Sequence, residues 1–184
     1  EVEHTVFIAA ALTCDQHFDG EAGCLPEGVS LPEVFFGSVR INATEPVAVV
    51  AQRLSEDGAL ADYRAFTAEE ASREVVLPVL NKNFGPWGGN RGWNSWFRLL
   101  TFDGSEARVT VVYYSKHFPA GLVAPTVYVD RQTTLRQWEN ARLPDGWVGS
   151  AIVIADRPIV ALANLESDVF EGDPVMLYSG VSLR

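Results

Sequence analysis

The chain has 184 residues, 47% of them hydrophobic and 11% aromatic, which is ample material for one large or two small packed domains. Its formal charge of −10 at pH 7 excludes the basic face that nucleic acid or an anionic membrane surface requires. No apolar run approaches the roughly 18 residues of a membrane-spanning helix, so no membrane insertion is expected.

The chain opens at Glu1 rather than Met, which predicts a mature product whose signal peptide has been removed, placed outside the cell or on its surface. Val6 to Leu12, "VFIAAAL", is apolar throughout and predicts a strand buried on both faces, with Val6, Phe7, Ile8 and Leu12 as its anchors. Cys14 and Cys24 follow in "CDQHFDGEAGC", a polar stretch with two glycines. No second cysteine pair or suitably placed histidines complete a zinc site, so the two are expected to form a disulfide, as an oxidising compartment permits. Asn42-Ala43-Thr44 matches the acceptor pattern for N-glycosylation at Asn42.

Leu31 to Gln52, "LPEVFFGSVRINATEPVAVVAQ", is written a second time as Leu143 to Asn164, "LPDGWVGSAIVIADRPIVALAN". Leu-Pro, Gly-Ser, an Ala, the Pro and the final Ala coincide without a gap. Each copy predicts strand, turn, strand, with the turn at Glu45-Pro46 or Arg157-Pro158. In the first copy Val39, Ile41 and Ala43 alternate with polar Arg40 and Asn42, giving one dry and one wet face. The second copy keeps Ala151, Val153 and Ala155 inside but carries Ile152 and Ile154 outside, an apolar outer face that something must cover.

Between the copies, "TAEEASRE" has capping-box spacing from Thr67 to Glu70. Strands are predicted over Glu74–Leu80, Ser95–Phe102, Ala107–Ser115 and Thr126–Asp130, the middle two joined as a hairpin across Asp103-Gly104. "QTTLRQWENARLP" reads as one helical turn or an extended edge. Two readings stand for "FGPWGGNRGWNSWF". In one, Trp93 and Trp96 plug the core or a seam between subunits. In the other, Trp87 and Trp93 stack on a glycan while Asn90, Arg91 and Asn94 supply hydrogen bonds.

No catalytic constellation can be assembled. His4, His17 and His117 are far apart, and no HExxH, P-loop, GxSxG or dinucleotide-binding glycine pattern appears. The acidic stretches "DQHFDGE" and "ESDVFEGDP" lack EF-hand spacing and read as solvated loops. No cofactor or metal is expected, and the chain does not read as an enzyme.

From Glu74 onward the motifs run "VVLPVL", "GWNSWFRLL", "VTVVYYS", the second copy, and "LYSG". This order resembles a β-sandwich module that recurs in tandem in secreted and cell-surface proteins of bacteria, written LPxGfxGSAxVxSDxPIxAxVN at its centre. The resemblance covers about residues 74 to 180. It is weaker over residues 3 to 66, where the cysteine loop stands in place of the GW and VTVxYY strands. It implies an immunoglobulin-like sandwich, carries no catalytic residues, and points to scaffolding, stalk or adhesive roles.

The sequence therefore predicts an all-β chain of two immunoglobulin-like modules, an abbreviated one over 1–72 and a complete one over 73–184. An abbreviated sandwich leaves open strand edges that invite another strand. The expected function is an extracellular structural subunit whose partners are copies of itself, assembled by strand complementation into a filament, pilus-like fibre or surface layer. The alternative is a monomeric adhesive or carbohydrate-binding module.

Overall fold

The computed structural model describes residues 3–9, 12–14, 38, 41, 48–54, 60–85, 92–167, 169 and 174–183. The fold is all-β, with two single 3-10 turns and no longer helix among these residues. The chain separates into two compact units, 1–65 and 66–184.

The described residues of the first unit form an antiparallel sheet of β1 (Glu3–Ala9), β2 (Leu12–Cys14), β3 (Ala48–Leu54) and β4 (Leu60–Arg64), in the order β2-β1-β3-β4. The apolar segment Val6 to Leu12 is thus two strands rather than one. Val6, Phe7 and Ile8 lie in β1, flanked by β2 on one side and β3 on the other, and Leu12 opens β2 opposite Ile8. Of the described side chains in this unit only Ala61 is buried, while Val50 and Leu60 are exposed.

The second unit begins with a 3-10 turn (Ala68–Glu70) whose start is tied by the Thr67 N–H donating to Glu70 Oε2 at 2.8 Å. Ser72 donates to the Leu183 carbonyl and Ser182 to the Glu70 carbonyl, which binds this turn to the chain's other end. Then come β5 (Ser72–Lys82), β6 (Asn94–Thr101), β7 (Ala107–Ser115), β8 (Phe118–Val123), β9 (Val127–Val129) and β10 (Gln132–Arg136). A second 3-10 turn (Gln137–Glu139) follows directly on β10, so "QTTLRQWE" is an extended edge and then a helical turn. Last come β11 (Trp147–Glu166), β12 (Val175–Ser179) and β13 (Val181–Ser182).

The second copy of the repeat is one strand of 20 residues, β11, in place of the expected strand, turn, strand. It bends at Asp156-Arg157-Pro158, where its register with β5 breaks, and its two halves serve different layers. Trp147 to Ala155 pairs with β5 and β7, whereas Ile159 to Glu166 pairs with β6 and β12. One layer thus runs β13-β5-β11-β7, with β8 and β9 on the far side of β7, and the other runs β10-β6-β11-β12. The result is a β-sandwich whose layers share a bent strand. Val75, Leu77, Val109, Val111 and Val153 from the first layer close on Phe97, Leu99, Ala161 and Ala163 from the second.

The hairpin expected across Asp103-Gly104 does not form, because β6 and β7 pair with the two different halves of β11 instead of with each other. Turn chemistry fixed the reversal of the chain: Gly104 has φ +72° and Asp103 Oδ1 accepts from the Ser105 N–H at 3.0 Å. It did not fix the partner. The turn carries the chain across the end of the sandwich beside the bend in β11. There Asp156 Oδ1 accepts from the Arg108 N–H at 2.8 Å, and Arg157 pairs with Asp103 at 3.8 Å.

A second crossing occurs at Gly180, between β12 on one layer and β13 on the other. Its N–H donates to the Ala161 carbonyl at 2.7 Å, and a Cβ there would stand 2.5 Å from Val75 Cγ1. Only glycine lets the strand change layers that close to the core.

Candidate functional site

The motif residues singled out in the sequence are consumed by backbone geometry. Within "GWNS", Ser95 Oγ donates to the Asn81 carbonyl at 3.0 Å and accepts from the Asn81 N–H at 2.8 Å, and Asn94 Oδ1 accepts from the Asn83 N–H at 2.9 Å. Trp93 is bridged to Phe84 by two backbone hydrogen bonds. Trp93 and Trp96 are both half-buried, so neither is the core plug. That place belongs to Trp147, fully buried and set edge-on against Tyr113 at 5.7 Å.

"LPVL" and "YSG" meet at a β-bulge. Opposite the single residue Ser150 of β11, β5 carries two, Pro78 and Val79, which breaks the ladder between Leu77 and Leu80. Tyr178 reaches this point from the other layer: its hydroxyl donates to the Val79 carbonyl and accepts from the Val79 N–H at 3.4 Å. Burial pushes this hydroxyl up to about 12, with the bond to Val79 pulling the other way. Tyr113 is likewise pushed up to about 12 by burial, against hydrogen bonds to Gln137 and Asn140.

Lys82, which nothing in the sequence singled out, is 8% exposed beneath the loop that follows the second 3-10 turn. Its ammonium donates to the carbonyls of Asn140 and Leu143, each at 2.9 Å, and stands 3.9 Å from Asp145. This buried charge holds the loop in place. Among the described residues no group of three or more His, Cys, Asp or Glu side chains is placed to hold a metal. His117 is exposed in the turn between β7 and β8, ring against Phe118.

The outer face of the first layer is the most distinctive surface. Val181 opposes Val76, Val76 opposes Ile152, Ile152 opposes Val112 and Val112 opposes Val123, so five neighbouring strands contribute one Val or Ile each to a single transverse row. Directly opposed residues share a face. At the normal spacing of strands the row is about 19 Å long. Its two ends are open, Val181 at 57% exposure and Val123 at 56%. Ile152 is half-buried and Ile154, two residues along, is 42% exposed, so the apolar face read from the second copy is left open by the described residues of its own unit. On the other side of the row the bulge makes a shallow, open depression of about 470 Å³, lined by Pro78, Val79, Tyr114, Val148, Gly149 and Ser150 among others.

The second half of β11 differs. Ile159 to Leu165 is buried on both faces, which is why "IVALA" reads as a continuous apolar run where the first half alternates, and buried Asn164 is satisfied by donating to Glu166 Oε2 at 2.8 Å.

Cys24, Asn42 and Trp87 lie outside the described residues, as do the side chains of Val6, Phe7, Ile8, Leu12 and Cys14. The Cys14–Cys24 pairing, glycosylation at Asn42 and the glycan platform of Trp87 therefore remain expectations from sequence.

No family model and no curated protein matches the chain. A solved structure, "Crystal Structure of Thermotoga maritima 1070", is similar over 61% of this chain and 96% of its own, at 14% identity and a TM-score of 0.49.

Proposed function

We propose that the chain is a structural subunit, working outside the cell or on its surface, that associates with copies of itself by strand complementation. The observation that carries this reading is β1 itself, a strand at the start of the chain that joins its sheet through ladder bonds with β3 on one side and β2 on the other. A strand held by ladder bonds to distant segments can be exchanged between copies of the chain.

β1 is closed within its own chain here, through a ladder of seven pairs with β3 from Glu3–Leu54 to Ala9–Ala48. The same register can be closed between chains, β1 of one copy on β3 of the next, as in strand exchange. Passed head to tail, that contact is heterologous and propagates as a filament. The immunoglobulin-like character of the modules, their kinship with bacterial surface proteins and the absence of catalysis belong to this proposal.

Negative-stain electron microscopy of the full chain across a concentration series tests it. Filaments or sheets are expected. Single particles at every concentration, together with specific hits on a glycan array, would favour the adhesive reading instead.

A further inference from the structure

The open face of the first layer has a shape that fits itself. Ile154 projects two residues to one side of the row Val181, Val76, Ile152, Val112, Val123, and the depression over Ser150 lies two residues to the other. We propose that two copies of the chain pack through this face, related by a two-fold axis lying in the interface along the row. Such an axis sets each row on its counterpart and inverts the strand direction. Ile154 of one copy then enters the depression over Ser150 of the other, and the reverse contact is made at the same time, as an isologous interface demands. The inference rests on the self-association reading and adds to it a specific, closed contact.

Charge agrees with that axis. β7 runs from Arg108, opposite the bend in β11, towards Lys116, and β11 runs the other way to Asp156. Glu74 and Asp156, both exposed, therefore lie at one end of the face beside exposed Arg108, and exposed Lys116 lies at the other. Inverting the strand direction brings the Lys116 end of one copy over the end of the other that carries two carboxylates and one guanidinium, a net opposite charge that favours this orientation. A second copy supplies a matching β surface, which packs on such a row at the spacing of about 10 Å seen between stacked sheets.

Sedimentation equilibrium on the full chain tests the contact. The wild type should show a dimer of twice the 20.2 kDa chain mass, whether as the end state or as a step within larger assemblies. Ile154→Lys, at an exposed site opposite Glu74, should leave the circular dichroism unchanged and weaken dimerisation roughly tenfold or more, as loss of a central anchor does. A double variant, Ser150→Cys with Ile154→Cys, provides a second measurement. Within one chain the two positions are four residues apart on a strand, about 13 Å, too far for a disulfide. Oxidation should therefore give covalent dimers by bonding between copies. A monomeric wild type, undiminished dimerisation of Ile154→Lys, or failure of the folded double variant to cross-link would each overturn the contact. If filaments form and Ile154→Lys leaves them unaltered, this contact fails and the strand-exchange reading stands. If only the Ile154-dependent dimer forms, the contact stands and the filament reading fails.

Discussion

The hydroxyl of Tyr178 crosses the sandwich to bond both backbone groups of Val79, the residue that a β-bulge has displaced from its ladder. Strands on opposite layers are locked at the point where one of them is irregular. Replacing Tyr178 by Phe strands the Val79 N–H and carbonyl. That should cost about 0.5–1.5 kcal/mol in urea unfolding, the net worth of an ordinary hydrogen bond at an exposed backbone site. An unchanged midpoint would show that water serves the bulge as well.

Alkaline pH offers a second handle on the same residue. Tyr113 and Tyr178 are held neutral by burial, each at about 12 against an ordinary value of 10.0. A raised folded value means that the fold binds the proton more tightly than the unfolded chain does. The stabilisation is complete below about pH 10 and is lost as pH rises through about 12. The melting temperature should fall across that window, and less steeply in Tyr178→Phe. A flat profile from pH 10 to 12 would contradict the burial of both hydroxyls.

Among the tryptophans, rank order is the test. Trp147 is fully buried against Tyr113, so Trp147→Ala should cost about 3–5 kcal/mol, as large-to-small core changes do. Trp93→Ala and Trp96→Ala, at half-buried sites, should each cost less. If denaturant unfolding places Trp93 or Trp96 first, the packing described here is wrong.

Gly149 is intolerant for a different reason. A Cβ there would lie 2.1 Å from the Tyr114 carbonyl oxygen and 2.5 Å from Trp147 Cζ2, so backbone and a core ring would both have to move. Gly149→Ala should destabilise by roughly 1–3 kcal/mol or more, the range for overpacking. A melting temperature equal to that of the wild type would mean that β7 and β11 can separate at no cost.

Much of this was legible before the structure. Period-two alternation in "SAIVIA" placed Ala151, Val153 and Ala155 inside and left Ile152 and Ile154 outside, because one-sided burial prints directly on a strand. What failed was partnership between distant segments. Asp103-Gly104 turns the chain, and nothing in those residues says that β6 and β7 will take opposite halves of a bent strand. Arg157-Pro158 read as a turn for the same reason: a bend with continuous pairing on either side has the same local chemistry. Trp147 was overlooked beside a more crowded cluster of tryptophans. Lys82 was invisible, since its carbonyl partners come from residues 140 and 143 and carry no side-chain signature.

The most direct test of the account is to remove the strand that is meant to pass between subunits. Residues 1–12 contain all of β1 and the first residue of β2, so their deletion leaves β3 without its partner on that side. The truncated chain, examined by electron microscopy and sedimentation beside the full chain, should remain as single subunits or small closed oligomers. A synthetic peptide of residues 1–14, added in excess to the full chain, should shorten its filaments by occupying β3. Filaments from the truncated chain indistinguishable from those of the full chain would contradict strand exchange outright.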